Sequence, residues 1–218
     1  MDVTYAPGSL DPIINVDWIN ADLEPIPIGV HHGDITSSAT DNRICHRIAV
    51  WLTETTGSGE ESQIGRNDVL LKTIMCIAGI ADFFRNTTTD TTTRSRPDFT
   101  ALYEGVPVLI VEEKEGDAIR AAKNDIINKF VWIPNLHRLP FFIGIAFSFT
   151  HVGIVQLKRN EPAVTLFSRQ LNSFKDRLAV LKPAINVARV LKHFIDSGLM
   201  EPAGLSMEKW HNRPCDKD

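Results

Sequence analysis

Residues 97–114 read PDFTALYEGVPVLIVEEK, and their pattern predicts a β-hairpin. PDFTALY alternates apolar and polar positions, Glu104-Gly105 supply a turn, and VPVLIVEEK returns as a strongly apolar strand. Side chains alternate between the two faces of a strand. Glu112 and Lys114 therefore share one face, while Glu113 points to the other. Antiparallel pairing about the turn brings Asp98, at the start of the first strand, beside the Glu112 region. Three chemistry-bearing side chains, separated by 14 and 2 residues, are thus expected at one end of a hairpin.

On the N-terminal side, Asn86 to Arg96 (NTTTDTTTRSR) is polar and without period, and is expected to be a loop. Before it, an apolar stripe of Ile64, Leu71, Met75 and Ala78 predicts a helix over 60–84. An earlier helix is expected from Asp41 to about Glu54, with TTGSGEES breaking the two apart. Residues 1–40, rich in Pro, Gly and Asp, read as an irregular extension.

On the C-terminal side, Gly116 to Phe130 reads as a helix and LPFFIGIAFSF and HVGIVQLK as two strands, with AVTLF as a further short one. A long helix is expected from Leu171 to Ser197, with Leu178, Leu181, Ile185, Ala188, Leu191 and Ile195 facing inward and Gly198 ending it. The expected fold class is α/β, a small mixed β-sheet flanked by helices, over residues 41–198, with 199–218 as a C-terminal tail.

Composition narrows the function classes. The chain has 218 residues, 43% of them hydrophobic, enough for one sizeable core. No apolar run approaches the roughly 20 residues of a membrane span, and no secretory leader is recognisable at the start, so a soluble intracellular protein without a membrane partner is expected. Cys45, Cys76 and Cys215 lie far apart and form no CxxC pair, which argues against a disulfide framework or a zinc ribbon. His137-Arg138 is followed by Leu139, where a kinase catalytic loop would need Asp. The net charge of -4 conceals an uneven distribution. Residues 1–68 hold eleven acids against three arginines, whereas residues 156–193 hold eight basic residues against two acids. A basic segment in a mildly acidic chain is either a footprint for a phosphate backbone or a solvated helix face.

The residue types at the hairpin end fit one chemistry. Hydrolysis of a phosphodiester needs hard oxygen ligands for Mg²⁺ or Mn²⁺ and a cation near the attacking water or scissile phosphate. Asp98 and Glu112 offer the oxygens, with the Glu113 backbone carbonyl as a further ligand, and Lys114 offers the cation. A salt bridge between these acids and Lys114 is the competing structural reading. The preceding helix adds Glu61 and Asp68, which with Ile64 form an i, i+3, i+7 set in line with the apolar stripe. An acid on the sheet-facing side of a helix needs a reason, and a metal ion is one. Glu61 alone could instead serve the first helical turn, where the dipole favours an acid. Arg94, Arg96 and Lys123 are the candidates for holding a nucleic-acid backbone.

With these residues in view, the sequence resembles the nuclease domain of Crinkler (CRN) effectors, of the PD-(D/E)xK restriction-endonuclease-like superfamily. The resemblance is carried by RPDF at 96–99 and VLIVEEK at 108–114. It extends through SQIGRNDVLL at 62–71, LPFFIGIAFSFTHVGIVQL at 139–157 and NVARVLKHF at 186–194, and spans about residues 58–197. It implies a restriction-endonuclease-like core, Mg²⁺ dependence and endonuclease action on nucleic acid, DNA ahead of RNA, in the nucleus of a host cell or in the cytoplasm. It implies Asp98, Glu112 and Lys114 as the catalytic core and Asp68 or Glu61 as the helix acid. The sequence departs from the family in three ways. The usual N-terminal translocation segment and the following kinase domain are not recognisable, so a free-standing version or an excised domain is expected. The helix acid Asp68 stands where the family leads one to expect Glu. A cap-snatching RNA endonuclease would need a histidine on the helix over 60–84, which has none. A catalytically silent module on the same fold, binding nucleic acid or a protein, is the alternative reading.

Overall fold

The computed structural model describes Ile19 and residues 39–53, 60–85, 97–130, 132, 136 and 138–200. In chain order the elements are α1 (Ala39–Thr53), α2 (Glu60–Ala78), β1 (Asp82–Arg85), β2 (Phe99–Tyr103), β3 (Val106–Glu113), α3 (Ile119–Lys129), β4 (Phe142–Phe147), β5 (His151–Leu157), β6 (Val164–Gln170) and α4 (Phe174–Asp196).

The hairpin forms as the sequence predicts. Glu104 and Gly105 lie at φ 47° and 78°, the pair of positive φ values that matches a two-residue turn to the twist of the strands. Its register contains one irregularity. Leu102 pairs with Pro107, but Ala101 pairs with Leu109, so Val108 is an extra residue on β3. From there Phe99 faces Val111, and the next step brings Asp98 level with Glu112. Without the bulge Asp98 would be level with Val111 and on the opposite face of the sheet.

The six strands lie in the order β1-β2-β3-β4-β5-β6. Every neighbouring pair is antiparallel except β3 and β4, which run parallel and are joined through α3. This is an α/β fold, a mixed sheet flanked by helices. Helix α3 covers one face. A Cβ on Gly144 would come within 2.6 Å of Ile126 Cγ2, so the missing side chain lets the helix sit directly on β4. Helices α1, α2 and α4 pack against one another and bury Leu70, Leu71, Ile74, Val187, Leu191 and Phe194. Their layer lies on the other face. Asn67 of α2 bonds Glu113, Lys129 of α3 bonds Glu112, and neighbouring residues on a strand point to opposite faces.

Several boundaries differ from the sequence expectation. Helix α2 ends at Ala78, not at residue 84. Gly79 adopts φ 75°, and the Ile80 amide donates to the Met75 carbonyl at 2.9 Å and the Gly79 amide to Cys76 at 3.4 Å, a Schellman cap. The chain then reverses, and DFFR becomes the edge strand β1 paired with β2. Helix α4 starts at Phe174, capped by the Ser173 hydroxyl, which accepts from the Asp176 amide at 3.1 Å. Its buried stripe runs through Val180, Ala184, Val187, Val190, Leu191 and Phe194, whereas Leu178, expected inward, is 49% exposed. The core also extends past the expected boundary at 198, since Leu199 and Met200 are buried. Within the N-terminal extension, Ile19 is buried and its carbonyl accepts from Asn186 Nδ2 at 3.1 Å; the rest of 1–38 lies outside the described residues, as does the expected loop at 86–96. No described helix is long and apolar enough to cross a membrane.

Candidate functional site

Asp98, Glu112 and Lys114 meet at one end of the hairpin. Asp98 Oδ2 accepts the Glu113 amide proton at 2.7 Å, which ties the start of β2 to the end of β3. Glu112 is fully buried. Its Oε2 accepts from Lys129 Nζ at 2.6 Å, while Oε1 has no hydrogen-bond partner among the described residues. Burial, followed by the charge of Asp98, pushes the Glu112 carboxyl up from 4.5 to about 8, against the pull of Lys129. Lys114 Nζ stands 2.5 Å from Asp125 Oδ2 on α3. Burial lowers its pKa, but Asp125, Glu112 and Asp98 outweigh this and hold the ammonium above its ordinary value. Asp125 also lies 4.0 Å from Lys129, so Glu112, Lys129, Asp125 and Lys114 form a run of alternating charge beneath the helix.

The other side of β3 carries a second network. Glu113 Oε2 accepts from Arg85 Nη1 at 2.6 Å and Oε1 from Asn67 Nδ2 at 2.8 Å. Arg85 also pairs with Asp68, which holds Lys72 at 3.3 Å, and its guanidinium lies 5.5 Å from the centre of the Phe99 ring. Burial lowers the Arg85 pKa, but Glu113 and Asp68 reverse the shift and raise it. Asp68 therefore reaches the hairpin on the Glu113 side, through Arg85, and not on the Glu112 side. Sequence reading missed Arg85 because it lay at the presumed end of a helix. Between the two networks a cleft of about 120 Å³ opens, lined by Gln63, Ile64, Arg85, Asp98, Glu113 and Lys114. In its wall the α2 side chain Gln63 donates to the Lys114 carbonyl at 3.4 Å, and Arg66 of the same helix donates to the Phe149 carbonyl at 3.0 Å.

Two carboxylates side by side, one with an unsatisfied buried oxygen, match the hard oxygen donors that Mg²⁺ and Mn²⁺ prefer. Among the described residues no three acid, His or Cys side chains converge on one point. Asp98 and Glu112 are the acids that the hairpin register sets level with each other.

The remaining candidates lie elsewhere. The Glu61 side chain, Arg94 and Arg96 fall outside the described residues. Lys123, expected at a nucleic-acid backbone, crosses β5 beside Gly153 and donates to Ser168 Oγ on β6 at 3.2 Å; burial lowers its pKa. The basic segment 156–193 does not form one face. Arg177 is buried and donates to the Trp51 carbonyl at 3.4 Å, Arg159 lies 5.8 Å from the centre of the Trp132 ring, and Lys158, Arg169 and Lys192 pair with Glu161, Asp176 and Asp196. Cys45 and Cys76 are free thiols. Comparison of the chain with protein-family models, with curated proteins and with solved structures finds no match.

Proposed function

We propose that the chain is a metal-dependent endonuclease of the Crinkler nuclease kind, acting on phosphodiester bonds of DNA ahead of RNA inside a cell, with the nucleus as the first candidate compartment. The observation that carries this reading is the fully buried Glu112, set beside Asp98 at the end of a core strand with one oxygen unsatisfied among the described residues. Two acids set together in a buried place call for a cation; Lys129 supplies one positive charge there, and a divalent ion would supply two. A divalent cation bound by Asp98 and Glu112, with the Glu113 carbonyl as a further donor, would polarise the phosphate and acidify water. Lys114 would orient that water and stabilise the charge that develops on the phosphate oxygens. Asp125 keeps Lys114 protonated and in position meanwhile.

The test is cleavage of plasmid DNA and single-stranded RNA by purified protein with Mg²⁺, Mn²⁺ or chelator. Activity that needs the metal and vanishes in Asp98→Asn, Glu112→Gln and Lys114→Ala is the expected result. Metal-independent activity, or activity that survives all three substitutions, would refute the reading. One observation favours a second reading, a catalytically silent binding module: Lys129 and Asp125 already partner Glu112 and Lys114. Calorimetry separates the two, because the silent module shows no Mn²⁺ binding dependent on Asp98.

A further inference from the structure

The Glu112–Lys129 pair has features that an ordinary buried salt bridge lacks, and the inference drawn from them rests on the metal-dependent reading above. The bridge is half made. Lys129 satisfies Oε2 at 2.6 Å, and Oε1 has no partner among the described residues, although the carboxylate is fully buried. A buried ion pair contributes to stability only when its remaining lone pairs are also satisfied. Lys129 also faces more negative charge than its own: Asp98 acts on the same carboxylate from across the hairpin, level with it because of the bulge at Val108. One ammonium stands where two carboxylates would hold a doubly charged ion.

Lys129 also has somewhere else to go. It is the last residue of α3, where the exposed carbonyls of the final turn favour a cation. Asp125, one turn earlier, lies 4.0 Å away, a distance that rotation of the flexible lysine stem would close.

We propose that Lys129 is a resident counter-cation of Glu112, which occupies the carboxylate in the metal-free protein and yields it to a divalent cation by withdrawing to Asp125 and the C-terminus of α3. Lys129 and the metal then compete for one carboxylate. Each lowers the affinity of the site for the other, and the neutral variants of Lys129 bind metal more tightly than the wild type.

The experiment is calorimetric titration of Mn²⁺ alone into the full chain at mildly alkaline pH, for the wild type, Glu112→Gln, Lys129→Met and Lys129→Gln. It is run in two buffers, so that the protons released are counted and the affinity refers to the ionised carboxylate. Lys129→Gln can still donate a hydrogen bond to Glu112 and covers the case in which Lys129→Met fails to fold. The expected result is an affinity weakened at least about tenfold in Glu112→Gln and strengthened about tenfold in both Lys129 variants, the effect of one pKa unit of charge interaction. Unchanged or weaker binding in a folded Lys129 variant, with binding still dependent on Glu112, overturns the counter-cation role and leaves the metal site standing. Absence of Mn²⁺ binding in the wild type, or binding indifferent to Glu112→Gln, overturns the metal-dependent reading itself.

Discussion

The Asp98 carboxylate accepts the Glu113 amide proton at 2.7 Å, so the acid just before β2 is held by the backbone of the neighbouring strand β3. The bond fixes Asp98 with one oxygen and leaves the other to act on Glu112. Asparagine retains an oxygen that can accept the same amide proton, but loses the charge. Asp98→Asn is therefore expected to keep the hairpin end intact and its stability within about 1 kcal/mol of the wild type. It should at the same time bring the Glu112 carboxyl down toward its ordinary range and abolish Mn²⁺ binding. Carboxyl-carbon NMR titration and calorimetry on the same preparation check the two effects together.

Among the described residues Arg85 is the cation that bridges Glu113 and Asp68, 13% exposed, with both acids mostly buried. Removing it leaves two acids facing each other with, among the described residues, Asn67 and Lys72 in partial compensation. Arg85→Met is expected to cost about 2–3 kcal/mol, below the full cost of breaking a wholly buried pair. Lys at this position cannot present a two-pronged donor, so Arg85→Lys should recover only part of the loss. Urea denaturation of the three proteins measures both. Equal stability of Arg85→Met and the wild type would mean that the network on this side of β3 is not structural.

The hairpin and its face assignment were legible because they rest on rules that need no tertiary context. Alternation separates Glu112 and Lys114 from Glu113, and Glu104-Gly105 has the residue types of a tight turn. The bulge at Val108 was not legible, since nothing in VPVLIV marks one residue as extra. The end of α2 was misread because the apolar residues Ile80, Ala81, Phe83 and Phe84 continue a plausible helical stripe. Gly79 alone signalled the stop, and DFFR became a strand only because β2 offered an edge. Arg85 was lost with that error, and so was the reason Asp68 lies on the Glu113 side. Lys129 and Asp125 were invisible for another cause: their partners sit 17 and 11 positions away, across a helix-to-sheet contact that sequence spacing does not encode.

Gly144 is where α3 rests on the sheet, and α3 carries Asp125 and Lys129. A Cβ at 144 would meet Ile126 Cγ2 at 2.6 Å, an atom close to the helix backbone that cannot swing far away. Gly144→Ala is thus expected to push the helix outward, at a cost of about 1–3 kcal/mol, and to lengthen the Lys129–Glu112 and Asp125–Lys114 contacts. Adding Ile126→Ala makes room for the new methyl, so the double variant should be more stable than the sum of the single losses implies. Urea midpoints for the cycle test this, and strict additivity would show that the two residues do not touch.

The Glu112 carboxyl gives the metal-free protein a characteristic pH dependence. Its pKa lies at about 8 in the folded chain and near 4.5 when exposed. Between those values the native state holds a proton that the unfolded state has released, so ν_N exceeds ν_U and stability falls as pH rises. The loss begins above the unfolded value and is complete once pH passes the folded one, beyond which the curve flattens. This is the opposite of the slope from a salt-bridged carboxylate with a depressed pKa. Glu112→Gln cannot ionise and should remove the decline. Calorimetric melting in chelator across that window, for the wild type and Glu112→Gln, gives the comparison, and parallel slopes for the two proteins would place the carboxyl in an ordinary, solvated environment. Saturating Mn²⁺ should reverse the trend in the wild type, because the ion binds the ionised carboxylate and stabilises the fold more strongly as pH rises.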